Sequence, residues 1–192
     1  MGIATIRNRQ MINTTTLTVT KNMTGDSPEE TAMLKRMEQE AIAYLKSFHW
    51  CPPIDEVYFG CGVGGVVAVF LFHFCQPVQS DEWLWVVEGD LPPAYLVRDQ
   101  ARDPASALEL YCQLMEDWAQ AVLAGHSMTN LFPVQSEPTR DNANNLIKRL
   151  VFIRTRLLPD WRNQLQAAGS GRGAKASGIK QNQESKTLHL NK

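Results

Sequence analysis

The sequence has none of the motifs that identify the common catalytic and metal centres. Its four cysteines form no CxxC pair, and no spacing brings cysteine and histidine together as structural zinc requires. It contains neither a GxSxG nucleophile elbow nor an HExxH helix. The sequence therefore predicts no catalytic residue, no metal site and no cofactor.

Two patterns come close to a motif but lack its context. Residues 60–65 match GxGxxG, yet the β-branched and aromatic run of residues 66–74 follows where a dinucleotide-binding unit needs a helix. A nucleophile pair of Cys61 with His73 is also conceivable. The predicted strand pairing places these two side chains on opposite faces of a sheet, which argues against that pair.

Charge is unevenly distributed along the 192 residues. Residues 27–161 contain ten Lys and Arg against eighteen Asp and Glu, a net charge of −8, whereas residues 1–26 carry +2 and residues 162–192 carry +5. An acidic body is unsuited to nucleic acid, which requires clustered Lys and Arg. It suits a basic protein partner, although an acidic surface also promotes solubility.

Composition divides the chain into one domain and two ends. Residues 27–161 are predicted to form a single α+β domain, preceded by a flexible leader over residues 1–26. The basic residues 162–192 are predicted to be largely disordered, because large apolar side chains become rare there. The cysteines are expected to be buried thiols in a reducing compartment, which favours a cytoplasmic location.

The uncharged residues 57–80 are long enough to span a bilayer. Four glycines lie in the first half of this stretch and its flanks are acidic, so a buried hairpin explains it better than a membrane segment.

Three helices are predicted from their start and stop signals. The first begins after Ser27 and ends near Phe48, before two prolines. The second runs from Pro104, after the cap Asp103, to Gly125, and the third covers about residues 140–158, with Pro159 as its end.

The strands are predicted to form a four-stranded antiparallel meander. A two-residue turn at Gly64 and Gly65 pairs Val63 with Val66. The same register pairs the following residues: Cys61 with Ala68, Phe59 with Phe70, Val57 with Phe72, Gly62 with Val67, Gly60 with Val69 and Tyr58 with Leu71. Strands over residues 83–87 and 94–97 complete the sheet.

Two groups of residues are candidate binding sites. The acids Glu88 and Asp90 follow Trp83 and Trp85, and these four residues are predicted to form an acidic, aromatic protein-binding surface. The alternative is that both Trp side chains pack in the core. The alternative site is a pocket on the bare glycine face of the sheet, lined by Tyr58, Gly60, Gly62 and His73.

The segment WLWVVEGDLPPAYLV over residues 83–97, preceded by YFGCGVGGV over residues 58–66, resembles a set of small, uncharacterised bacterial α+β proteins. The resemblance covers about residues 45–158. The chain also resembles the immunity proteins of bacterial toxin systems in its size and α+β make-up. This resemblance rests on no diagnostic motif, so it assigns no function to any residue.

The favoured hypothesis is a protein-binding module, an immunity-type inhibitor that masks a basic toxin or effector with its acidic surface. The alternative is a small-molecule-binding protein or enzyme that uses the glycine-face pocket. A homodimer joined through an exposed strand edge is a third possibility.

Overall fold

The computed structural model describes residue 14, residues 17–78 and residues 81–170. These residues form an α+β fold whose sheet is an antiparallel meander. The strands, in both chain and spatial order, are β1 (Thr18–Val19), β2 (Ile54–Val63), β3 (Val67–Val78), β4 (Asp81–Gly89) and β5 (Ala94–Val97). The helices are α1 (Pro28–Lys46), α2 (Pro104–Ala124), α3 (Arg140–Phe152) and α4 (Leu158–Ser170), with a π-helical segment, Ile153–Leu157, between α3 and α4.

The sheet has five strands, so the predicted count of four is wrong. The additional strand, β1, lies within the segment predicted to be a flexible leader and pairs with Tyr58 and Phe59 of β2. The Thr20 hydroxyl donates to the Val57 carbonyl, and Met23 is buried in the core. Two paired residues contain too little alternation to be recognised as a strand, because period-2 patterns need four or more residues.

Helices cover both faces of the sheet. Alternate side chains of β3 point to opposite sides: Phe70 and Phe72 join the core under α1, whereas Val69 and Leu71 join the core under α2, α3 and α4. A strand that is buried on both faces has no polar face, so it reads as a continuous apolar run. Residues 57–78 of the uncharged stretch therefore lie in β2, in the turn after it and in β3. Among the described residues, no helix is long and apolar enough to cross a membrane.

The β2–β3 turn differs from the predicted two-residue turn. Val63 pairs with Val67, which leaves three residues in the turn, and Gly65 has the positive φ of 76° that favours glycine. A bulge at Gly60 then absorbs one residue, so the predicted pairs of Phe59 with Phe70, Tyr58 with Leu71 and Val57 with Phe72 are present. Between the turn and this bulge, the extra turn residue shifts every β3 partner by one, so the pairs predicted there are wrong.

The start of α1 holds this turn in place. The Ser27 Oγ accepts the Glu30 N–H at 3.1 Å, as the predicted cap requires. The Glu30 carboxylate accepts the Asp26 N–H at 2.8 Å and the Gly64 N–H at 3.3 Å. The Glu30 side chain therefore holds the residue before the cap and ties the start of α1 to the β2–β3 turn.

The second predicted helix is confirmed, with Asp103 as its cap and Gly125 at its end. The prediction that Pro159 ends the third helix is wrong, since the helical chain continues to Ser170. In the π segment the Leu158 N–H donates to the carbonyl of Ile153, five residues back. This wider turn places Pro159 in the first turn of α4, where its missing N–H has no required partner. The predicted disordered tail therefore begins with helix, and residues 171–192 lie outside the described residues.

The cysteines differ in their exposure. Cys112 is buried, Cys51 and Cys61 are half-buried, and all four thiols are free. Cys75 is exposed, so the prediction of a buried thiol is wrong there. It lies near the end of β3, beyond the residues that the helices cover.

Candidate functional site

The two tryptophans predicted to share a binding surface lie in different environments. The Trp85 side chain is 1 % exposed, and its indole N–H donates to the Ala101 carbonyl at 2.9 Å. Trp83 lies on the same face of β4, two residues nearer the strand start, and remains partly exposed. Trp85 is therefore a core residue, and only Trp83 is accessible to a partner.

The two acids of the predicted patch are also separated from each other. Glu88 points to the α1 side of the sheet and is 8 % exposed. Burial raises the pKa of its carboxyl group to about 7, an effect to which the nearby Glu40 adds, while the hydrogen bond from the Gly89 N–H opposes it. Asp90 is exposed and pairs with Arg149 of α3 at 2.8 Å. About 23 Å of extended strand separates Trp83 from Asp90, so the four residues do not form one surface.

The predicted glycine face is not one surface, because the bulge at Gly60 places Gly60 on the α2 side of the sheet and Gly62 on the α1 side, and the chain itself covers both positions. A side chain at Gly60 would come within 2.6 Å of Cβ of Pro104, the first residue of α2. A side chain at Gly62 would meet the Ala68 Cβ at 2.8 Å. The bare backbone at these positions therefore allows close internal packing, and Gly60 and Gly62 do not line an open pocket.

Tyr58 and His73, the other two residues of the alternative site, lie beside Trp83. The strand register explains this, because His73 of β3 pairs with Glu56 on one side and Trp83 on the other. The His73 and Trp83 ring centroids are 4.2 Å apart, and those of Tyr58 and Trp83 are 5.9 Å apart. The structure therefore brings together one residue from the first predicted site and two from the second.

Two carboxylates hold these rings in position. A bulge at Asp55 turns its side chain towards His73, and Asp55 Oδ2 lies 2.8 Å from the His73 Nδ1. The Tyr58 hydroxyl donates to Glu56 Oε2 at 2.5 Å. This hydrogen bond, with a smaller contribution from burial, raises the pKa of Tyr58 to about 12, so the hydroxyl remains a donor at neutral pH.

We call the five residues Asp55, Glu56, Tyr58, His73 and Trp83 the acidic aromatic patch. It presents three partly exposed rings and two carboxylates on the same face of the sheet, at the end remote from the β2–β3 turn. Such a surface can take a cationic side chain, which rings attract through their negative faces and carboxylates through charge.

Sequence reasoning missed Asp55 and Glu56 as members of this patch, although a signal was present. Extending the predicted hairpin register by one pair places Glu56 opposite His73. The neighbouring position of Trp83 depends on the β3–β4 register, which the Pro77-containing connection does not reveal.

Among the described residues, no group of three or more His, Cys, Asp or Glu side chains is arranged to hold a metal ion. In comparisons with known proteins, no family model, no curated protein and no solved structure matches the chain.

Proposed function

We propose that this protein is a protein-binding module that captures a basic partner at the acidic aromatic patch. In the form that we favour, it is an immunity-type inhibitor that masks a basic toxin or effector. The observation that carries the proposal is the contact of the partly exposed Trp83 ring with Tyr58 and His73, whose polar atoms are bound by Glu56 and Asp55.

The physical basis is a preorganised surface. Trp and Tyr supply large contact areas in interfaces, and rings that are already fixed lose little further freedom when a partner binds. Cation–π attraction to Trp83 and charge attraction to Asp55 and Glu56 both favour a Lys or Arg from the partner. The net charge of −8 over residues 27–161 adds long-range attraction, which accelerates encounter with a basic protein.

The proposal is tested by affinity purification from the source cells, with the wild-type protein and its variants as baits. We expect the wild type to recover a basic protein. Trp83→Ala should lose that protein, and so should the double variant Asp55→Lys/Glu56→Lys. Binding by the wild type should also weaken between 50 and 300 mM salt, since rim charges are screened at about 8–10 Å in physiological salt.

A matched control separates the patch from total charge. Glu137→Lys/Asp160→Lys makes the same change in net charge at two exposed acids outside the patch, and it should retain the partner. The proposal is wrong if the wild type recovers no basic partner, or if both double variants lose it equally.

A second candidate function is binding or conversion of a small molecule at the same patch. It is favoured by the 2.8 Å contact of Asp55 with His73, because a carboxylate that orients an imidazole leaves its second nitrogen for proton transfer. Trp83 would then stack on a planar ligand. A metabolite that raises the melting temperature of the wild type but not of Trp83→Ala or His73→Gln would support this function over the first.

A further inference from the structure

A groove lies at the opposite end of the sheet from the acidic aromatic patch. Gly65 and Val66 of the β2–β3 turn form one side, Leu91 of the β4–β5 turn forms another, and Phe152 and Ile153 close it from the helical side. Its volume is about 240 Å³. Three separate elements of the fold therefore enclose one mainly apolar depression.

The groove borders are unusually apolar for a protein surface. Three large hydrophobic side chains in the described part of the chain are exposed: Met33, Val151 and Phe152. Of these three, Phe152, which is 48 % exposed, lines the groove, together with the apolar side chains of Val66, Leu91 and Ile153. A half-exposed ring that continues into an apolar lining is typical of a binding site rather than of scattered surface residues.

The groove also carries an uncompensated positive charge. The Arg149 guanidinium donates from Nε and Nη2 to Asp90 Oδ2 at 3.0 and 2.8 Å, so these two charges neutralise each other. Lys148 lines the same groove, is exposed, and forms no ion pair with any other described residue. A cation beside apolar walls matches a ligand with an apolar part and a negative end.

We propose that this groove binds a small amphipathic carboxylate, with its apolar chain against Leu91, Ile153 and Phe152 and its carboxylate at Lys148. The volume holds about eight groups the size of a water molecule, which corresponds to a medium-length acyl chain. The proposal does not depend on the function assigned to the acidic aromatic patch, because the two sites share no residue.

The test uses octanoate as the probe and amide chemical shifts of the full-length protein as the readout. We expect saturable shifts centred on residues 65–66, 91 and 148–153. Octylammonium, which has the same chain and the opposite charge, should bind about threefold to tenfold more weakly, in line with the strength of exposed charge pairs. Neither result requires the protein partner proposed above.

Paired variants separate the groove from general effects. Lys148→Glu should weaken octanoate binding by a similar factor, whereas Lys46→Glu, at the far end of α1, should leave it unchanged. Phe152→Ser should weaken binding, whereas Val151→Ser, which alters an exposed side chain that does not line the groove, should not. Equal binding of octanoate and octylammonium, shifts centred elsewhere, or no saturable shift in the wild type would each overturn the proposal.

Discussion

The two ends of the sheet are built from the same three central strands but differ in what they fix. At the end with the acidic aromatic patch, side chains from β2, β3 and β4 form a row that remains partly exposed. At the turn end, the backbone itself is held: the Gly64 N–H donates to Glu30, and the Asp90 N–H donates to the Val66 carbonyl at 3.0 Å. The two ends therefore differ in what is fixed: side-chain contacts at the patch end and backbone hydrogen bonds at the turn end.

The strongest test of this comparison uses the two tryptophans of β4. Trp85→Ala removes a fully buried ring and the hydrogen bond to Ala101, so we expect a loss of about 3–5 kcal/mol in the free energy of unfolding. Trp83→Ala should cost only about 1 kcal/mol, because its ring already contacts solvent. Urea denaturation of both variants measures the difference. Similar losses for the two variants would show that Trp83 is also a core residue and would remove it from the proposed surface.

The second test concerns the tight backbone at the turn end. A Cβ at Gly89 would lie 2.3 Å from the Val66 carbonyl oxygen, a clash with backbone that no rotamer can relieve. We expect Gly89→Ala to lower the free energy of unfolding by about 2–4 kcal/mol. Gly125→Ala is the matched control: its φ is 69° but nothing lies within 4 Å of the new carbon, so about 1 kcal/mol is expected. Equal costs would mean that the turn end adjusts freely.

Glu88, which pairs with Ala68 at the turn end of the sheet, offers a pH-dependent test of that end. Burial raises its folded-state pKa from 4.5 to about 7, so the folded protein favours the protonated carboxyl. Below about pH 4.5 the group is protonated in both states and costs nothing. As the pH rises towards 7, the unfolded chain ionises first and stability is lost. Glu88→Gln should therefore be more stable than the wild type by about 1–2 kcal/mol above pH 7.

The control for this effect is Glu137→Gln, which alters an exposed acid. Denaturation midpoints from pH 4.5 to pH 8 should show the Glu88→Gln difference growing with pH, while the Glu137→Gln difference stays near zero. A constant difference for Glu88→Gln would show that folding does not raise the pKa of this carboxyl and that packing alone separates the variant from the wild type.

Local signals in the sequence predicted most of the helices and strands. Ser27 and Asp103 are caps whose hydrogen bonds form within three residues, so their neighbours reveal them. The helix end predicted at Pro159 is wrong because it depends on packing and not on neighbouring residues. A proline ends a regular helix, but the π segment before it depends on how that helix packs, which neighbouring residues do not indicate.

The candidate site was less predictable because it depends on long-range register. Trp83 and Trp85 have the same residue type, strand and face, yet only one lies beneath Ala101 and the helices. Glu88 and Asp90 likewise separate because alternation sends Glu88 under α1, whereas Asp90 lies in the turn after the strand. The acidic aromatic patch joins residues 55 to 83 through two strand pairings, and only the Glu56 to His73 pairing follows from the predicted hairpin.

The smallest expected effect concerns the pair that joins the turn end to α3. Asp90 and Arg149 are both exposed, so their direct interaction should contribute only about 0.2–1 kcal/mol. A double-mutant cycle with Asp90→Asn and Arg149→Gln, measured by denaturation at low and high salt, gives this coupling energy. A value well above that range would mean that the ion pair, and not the glycine backbone, fixes the turn end. A value near zero, with Gly89→Ala strongly destabilising, would assign the rigidity of that end to backbone contacts.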